Sequence, residues 1–204
     1  MAALAAYLLG SIPTGYLAGK AKRLDIRASG SGNIGATNAL RVLGKPAGIC
    51  VLLADCAKGF AAVKLAPLYL KIAGAPSLDE HIIAVVAGIF AVLGHNYTCW
   101  LRFKGGKGIA TTAGVYLALA PAALGAALAV FFAVVALTRY VSLGSMAGAV
   151  ALPVAVWFTQ SSPLLRYVTI ALAIMALYKH RGNLRRLLNG TESRVGQKST
   201  EAAQ

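Results

Sequence analysis

Thirty consecutive residues, Gly108 through Leu137, carry no charged side chain. A membrane-spanning helix needs about 20 apolar residues and can manage with about 17. A run of this length therefore reads as membrane-embedded. Pro121 divides it, with Gly114 and Gly125 on either side. It is either one long tilted helix or two shorter helices with a tight turn near Ala120–Pro121. Further apolar runs cover about residues 2–19, 46–70, 81–97, 141–158 and 164–178. Composition agrees: 58% of the residues are hydrophobic and 13% charged, with a mean hydropathy of +0.68. Soluble domains hold about 45–50% apolar and about 25% charged residues. Pro13, Pro67 and Pro153 fall inside or near the ends of these runs, which membrane helices tolerate when neighbours satisfy the freed carbonyls.

Charge decides between the two layouts. Lys and Arg in short loops favour the cytoplasmic side. Four segments hold sixteen of the 20 basic residues: Lys20, Lys22, Arg23, Arg27, Arg41 and Lys45; Arg102, Lys104 and Lys107; Arg139; and Lys179, Arg181, Arg185, Arg186, Arg194 and Lys198. All four lie on one side only if Gly108–Leu137 crosses twice. The expected architecture is an all-α membrane protein with seven transmembrane helices, N-terminus outside and C-terminus cytoplasmic. The stretch 1–192 forms a single seven-span domain, and 193–204 a disordered cytoplasmic tail. The loops 71–80 and 159–163, on the other side, carry turn residues and little charge. The first twenty residues have no basic stretch ahead of their apolar run and read as a retained span, not a signal peptide.

A net charge of +14 admits nucleic acid, an anionic lipid surface or anionic substrates as partners. Nucleic acid is set aside, because the basic residues sit between apolar runs without a nucleic-acid-binding motif. Cys50, Cys56 and Cys99 have neither disulfide nor zinc spacing.

Three donor-rich segments carry the chemistry. The first, SGSGNIGATNALR (Ser29–Arg41), combines Gly30, Gly32 and Gly35 with Ser31, Thr37 and Asn38. Its glycines allow backbone N–H groups to converge on an anion, and Arg41 adds a bidentate phosphate clamp. Its plainer reading is a loop entering a helix with Thr37 or Asn38 as N-cap. The second, GHNYTCWLRFKGGKG (Gly94–Gly108), ends like a phosphate loop but lacks the Ser or Thr of a Walker A motif. Glycine amides plus Lys107 still suit phosphate, while Tyr97, Trp100 and Phe103 suit a membrane interface. The third, YKHRGNLRRLLNGTE (Tyr178–Glu192), puts His180 and Asn183 at helical spacing, with Arg185 and Arg186 at a lipid surface. Ser142 and Ser145 are smaller candidates that can equally bond their own helix carbonyls. Asp55 and Lys58 stand i, i+3 within an apolar run. An ion pair is expected there, with active-site support as the second reading. No His or Ser stands with an acidic residue in a recognised catalytic motif. HxxxxD, HExxH and GxSxG are absent, so neither a triad nor a carboxylate-bound metal is expected.

The motifs SGNIGATNALR, GHNYTCWLRFKGGKG and HRGNLRRLLNGTE, in this order, resemble the three cytoplasmic motifs of the bacterial PlsY family, the acyl-phosphate:glycerol-3-phosphate acyltransferases. The resemblance covers nearly the whole chain and departs from the family pattern at Asn96–Tyr97–Thr98. It implies transfer of a fatty acyl group from acyl phosphate to the 1-hydroxyl of glycerol 3-phosphate. The products are lysophosphatidic acid and phosphate, in the first acylation of phospholipid synthesis, at the bacterial inner membrane. It further implies that Ser31, Thr37, Gly105, Gly106, Lys107 and Ser145 hold acyl phosphate. Arg41, Asn38, His180 and Asn183 bind glycerol 3-phosphate, Asn38 by shaping the first loop. His95, Lys107 and Asn183 are the catalytic candidates. His95, with no evident acidic partner, is expected to orient substrate or stabilise the transition state, and the departing phosphate to take the hydroxyl proton. No cofactor or metal is expected. The partners are the two substrates and membrane lipids. The alternative is a transporter of a phosphorylated solute, which would place its polar residues near the bilayer midplane.

Overall fold

The computed structural model describes residues 1–72, 74 and 79–196. Part of the expected 71–80 loop (73 and 75–78) and most of the expected tail (197–204) lie outside the described residues. Among the described residues the secondary structure is helical throughout. The chain forms two compact units, Met1–Pro121 and Ala122–Gln204.

The first unit contains α1 (Ala2–Ser11), α2 (Thr14–Ala21), α3 (Ala36–Leu43), α4 (Lys45–Ile72), α5 (Glu80–Asn96) and α6 (Ile109–Leu119), with 3₁₀ turns at Ile26–Ala28 and Cys99–Leu101. The expected first span, 2–19, is interrupted. Pro13 has no N–H to continue the ladder and disfavours helical backbone at the residue before it, so Ile12 is extended, with ψ 113°. The break leaves the carbonyls of Ser11 and Ile12 without helical partners. Thr98 Oγ1 donates to the first at 2.6 Å, and the second accepts from both Lys58 Nζ at 2.9 Å and the Thr14 N–H at 3.0 Å. Pro67, in contrast, is carried within α4.

Small residues set the packing. A Cβ on Gly10 would strike the backbone of Ala91, and one on Gly94 would strike Tyr7, so α1 and α5 cross at near-backbone contact. Gly59 and Gly114 do the same for α4 and α6. Ala6, Ala62, Ala66, Ala87 and Ala91 form one buried cluster. This is the packing of membrane helices, where lipid gives no hydrophobic drive and close backbone approach supplies the attraction.

The second unit contains α7 (Pro121–Thr138), α8 (Val141–Thr159), α9 (Pro163–Lys179) and α10 (Arg181–Leu188). The uncharged thirty-residue run thus divides at Ala120, as the two-helix reading required. Proline at the first position of α7 suits a helix start, where its missing N–H has no helical partner anyway. Arg139, with φ 63°, turns the chain from α7 into α8, and Gly144 lets α8 lie against Phe131 and Val135 of α7. Ser162 caps α9 by accepting from the Leu165 N–H.

Among the described residues, four stretches are long and apolar enough to cross a membrane: Ala2–Ala21, Glu80–Leu101, Pro121–Thr138 and Val141–Thr159. Ile109–Leu119 is a shorter apolar helix. Pro121–Thr138 has a mean hydropathy of 2.2 with only 17% of it buried, so its apolar surface faces outward, as lipid contact requires.

The glycine crossings make a test. Gly114→Leu drives a side chain into the Cys56 backbone of α4, whereas Gly125→Leu enters open space. Overpacking of this kind costs about 1–3 kcal/mol or more. Thermal unfolding in detergent should show a clear drop in midpoint for the first variant and little change for the second.

Candidate functional site

The first donor-rich segment is built around one side chain. Asn38, buried in α3, donates through Nδ2 to the carbonyls of Ile26 (3.2 Å), Ser29 (3.1 Å) and Asn33 (2.8 Å), and its Oδ1 accepts the Ser31 N–H at 2.9 Å. Gly30 and Gly32 both have positive φ, 59° and 68°, and a Cβ on Gly30 would collide with Asn38 Oδ1. Only glycine takes these left-handed positions without strain, which explains two of the segment's glycines. Asn38 thus holds the loop from within. The N-cap of α3, however, is Gly35 and not Thr37 or Asn38, which fall in the first turn. The amides of Ser31, Gly32 and Gly35 bond within the loop. The side chains of Ser31, Thr37 and Arg41, in contrast, are exposed. Just upstream, the side chain and backbone of Arg27 hydrogen-bond to Asp25 and, against slight desolvation, hold its carboxyl at about 2.

The second segment packs against the first. Leu101 shares a buried cluster with Ile26, Ile34, Ala39, Leu43 and Val51. The Gly105 N–H donates to the Asn96 carbonyl at 3.2 Å and the Gly106 N–H to the His95 carbonyl at 3.0 Å. These two amides close the loop onto the end of α5, so the expected anion contacts of Gly105 and Gly106 are not met by their N–H groups here. The glycines matter for closeness: a Cβ on Gly105 would strike the His95 and Asn96 backbone, and one on Gly106 the imidazole of His95. Lys107 follows directly and leads into the N-terminus of α6, where first-turn N–H groups favour an anion. Trp100 and Phe103 are exposed, at 64% and 62%, as interface side chains should be. Asn96 and Thr98, at the departure from the family pattern, are both buried, and Thr98 ties the loop to Ser11.

His95 does have an acidic neighbour, contrary to the expectation from motif spacing. Asp55 Oδ1 lies 3.4 Å from His95 Nδ1, and Lys58 Nζ lies 3.0 Å from the same nitrogen. Asp55 and Lys58 form the expected ion pair at 2.7 Å, and Thr14 Oγ1 donates to Asp55 at 2.6 Å. Asp55 and Lys58 sit on α4 and His95 on α5, so no short sequence motif could reveal the association.

In the second unit the expected residues gather on an acid that sequence reasoning missed. Glu192 accepts from Ser142 Oγ at 2.7 Å, Asn183 Nδ2 at 2.8 Å and Arg186 Nε at 2.7 Å. Burial raises the Glu192 carboxyl, but these three hydrogen bonds and the charge of Arg186 outweigh it and lower the pKa. Arg186, expected merely at a lipid surface, is thereby tied to the chain. Asn183 is buried on α10, and His180, buried between α9 and α10, donates through Nδ1 to the Ala176 carbonyl at 2.8 Å. Ser145 donates to the Val141 carbonyl at 2.8 Å, the plain helical alternative to its expected substrate contact. The start of the expected tail is docked: Val195 and Arg139 exchange two hydrogen bonds, and Arg194 donates to the Tyr140 hydroxyl.

Comparison with known proteins bears on what such a site does. A family model described as glycerol-3-phosphate acyltransferase matches residues 1–190. A glycerol-3-phosphate acyltransferase of Geobacter sulfurreducens is 50% identical over 189 residues, covering 93% of each chain. One of Thermosynechococcus vestitus is 49% identical over 200 residues, covering 95% of this chain and 93% of its own. The crystal structure of PlsY (YgiH), an integral membrane glycerol 3-phosphate acyltransferase, in its glycerol 3-phosphate form is similar with a TM-score of 0.87 and 36% identity, over 96% of this chain and 94% of that one. Its lysophosphatidic acid form gives 0.84 and 35%.

Two tests follow from the geometry. Asn38→Ala removes the bonds of two amide protons, one of them shared, and of one oxygen, and leaves the Asn33 carbonyl and the Ser31 amide to find water; at about 1 kcal/mol net for each bond, the chain should lose about 2–3 kcal/mol. Denaturant unfolding in detergent measures this. Glu192 has a lowered folded-state pKa, so its stabilising contribution is complete above the unfolded value of about 4.3 and is lost as pH falls through the folded one. Hydrogen exchange should show segment 189–195 protected at pH 7 and progressively released on acidification below that range, and Glu192→Gln should remove most of this pH dependence.

Proposed function

This chain belongs to the glycerol-3-phosphate acyltransferase family and is a multi-pass integral membrane acyltransferase, and we propose that its acyl donor is a fatty acyl phosphate. The glycerol 3-phosphate C1 hydroxyl oxygen bonds to the acyl carbonyl carbon, the bond from that carbon to the phosphate oxygen breaks, and the hydroxyl proton passes to the departing phosphate. Lysophosphatidic acid and inorganic phosphate result. The observation that carries the reading is the likeness, across 96% of the chain, to PlsY in its glycerol 3-phosphate form. The transporter alternative gains nothing, since the relatives named above are all acyltransferases.

An acyl phosphate is already activated, so positioning and charge stabilisation suffice and no covalent nucleophile is needed. Ser31, Thr37 and Lys107 are exposed or half-buried and able to meet phosphate oxygens. Lys107 offsets the charge that grows on the leaving phosphate. Arg41 clamps glycerol 3-phosphate through its phosphate, and His180 and Asn183 contribute to recognising the same substrate. The seven-span layout, with N-terminus out and the donor-rich segments facing the cytoplasm of the bacterial inner membrane, rests on the one-sided placement of the basic residues.

Purified protein in detergent, given palmitoyl phosphate and glycerol 3-phosphate without added metal, should release phosphate and lysophosphatidic acid in step. Lys107→Ala should lower kcat by about 10²–10³-fold, the usual effect of losing one charge-stabilising donor. Transfer from acyl-CoA or acyl carrier protein alone would refute the donor assignment.

A further inference from the structure

The Lys58 ammonium is placed to donate to three acceptors: Asp55 Oδ1 at 2.7 Å, the Ile12 carbonyl at 2.9 Å and His95 Nδ1 at 3.0 Å. An ammonium has three protons and no lone pair, so these contacts use it fully and require His95 Nδ1 to be an acceptor. The competing arrangement puts a proton on Nδ1 and aims it at Asp55. That distance is longer, 3.4 Å, and the proton would face the ammonium at 3.0 Å. Asp55 Oδ1 is moreover already taken by Thr14 Oγ1 and Lys58. With Nδ1 accepting from Lys58, the ring proton of His95 is on Nε2. The Nε2 edge of the ring is the one that a Cβ on Gly106 would strike, so it lies against the Gly105–Lys107 segment.

We propose that Lys58, held by Asp55 and the Ile12 carbonyl, is a positioning residue that fixes His95 as the Nε2–H tautomer, so that His95 meets substrate as a hydrogen-bond donor and not as a base. The role toward substrate rests on the acyltransferase reading; the tautomer does not. A donor at this position serves the carbonyl or phosphate oxygen on which charge develops. It also assigns proton removal from the glycerol hydroxyl elsewhere, to the departing phosphate. The Pro13 break belongs to the same device, because a continuous first helix would hold the Ile12 carbonyl in its own ladder and take one acceptor from Lys58.

The test is a long-range proton–nitrogen correlation spectrum of the full chain, labelled with ¹⁵N-histidine, in lipid nanodiscs at neutral pH. The chain has 3 histidines, and His81→Asn and His180→Asn assign them. His95 should show a bare Nδ1 and a protonated Nε2. The charge-neutral double variant D55N/K58M, which strands neither partner in the interior, should move His95 to a mixture of tautomers. It should lower kcat by about 10–100-fold, with KM for glycerol 3-phosphate within about twofold, as misplacement of one catalytic group does. A wild-type spectrum with the proton on Nδ1, or a double variant keeping both tautomer and kcat, overturns the proposal. Absence of acyl transfer by the wild type would instead sink the functional reading, while the spectrum still decides the Lys58–His95 contact.

Discussion

Two opposite charges, Asp55 and Lys58, lie almost wholly inside the helices of the first unit, at 1% and 4% side-chain exposure, and the arrangement around them depends on their being satisfied. Taking such a pair out of water is costly, and stranding one partner typically costs about 3–5 kcal/mol. The structure meets the demand completely on the lysine side, with a carboxylate, a carbonyl and an imidazole nitrogen. The carbonyl exists as an acceptor only because Pro13 interrupts the first helix. The imidazole belongs to α5, so one buried cation binds the α1–α2 break, α4 and α5 at a single point. A hydrophobic pair of the same volume would pack as well but would leave the Ile12 carbonyl and His95 without that donor.

Around this point the framework is made of small residues, and the donor-rich segments hang from it by polar anchors. Helices that touch backbone to backbone at Gly10, Gly59, Gly94 and Gly114 have little freedom to slide. Their ends are fixed correspondingly well. The loop before α3 is tied from within by Asn38, and the loop before α6 by Thr98 and the two glycine amides. In each case the anchoring atoms are buried, while the side chains proposed to meet phosphate remain accessible. Anchoring and binding are separate duties carried by neighbouring residues.

Much of this was legible in the residues. The uncharged run and its central Pro121 forecast the α6–α7 division, because proline punctuates helices by a local rule that tertiary contacts rarely overturn. The i, i+3 spacing of Asp55 and Lys58 forecast their pairing for the same local reason. The interruption at Pro13 was not read, since a single proline in a membrane helix can be carried without a break, as Pro67 is in α4. The association of Asp55 with His95, and of Glu192 with Ser142 and Asn183, joins residues remote in sequence or on different helices. Only packing brings them together. Gly105 and Gly106 suggest a phosphate cradle in the sequence, whereas their main visible property is to let the loop approach His95 and Asn96 closely.

The outward apolar surface of α7 has a consequence for how such a catalyst meets its reactants. In the proposed reaction the acyl phosphate and lysophosphatidic acid are amphiphiles whose hydrocarbon tails stay in the leaflet, while glycerol 3-phosphate and phosphate live in water. A helix wetted by acyl chains keeps the enzyme in the same two-dimensional fluid as the first pair. Encounter with the donor is then governed by its surface density and lateral diffusion, and encounter with the acceptor by an ordinary bulk concentration. The reaction joins a planar pool to a volumetric one, and its rate responds to each on a different scale.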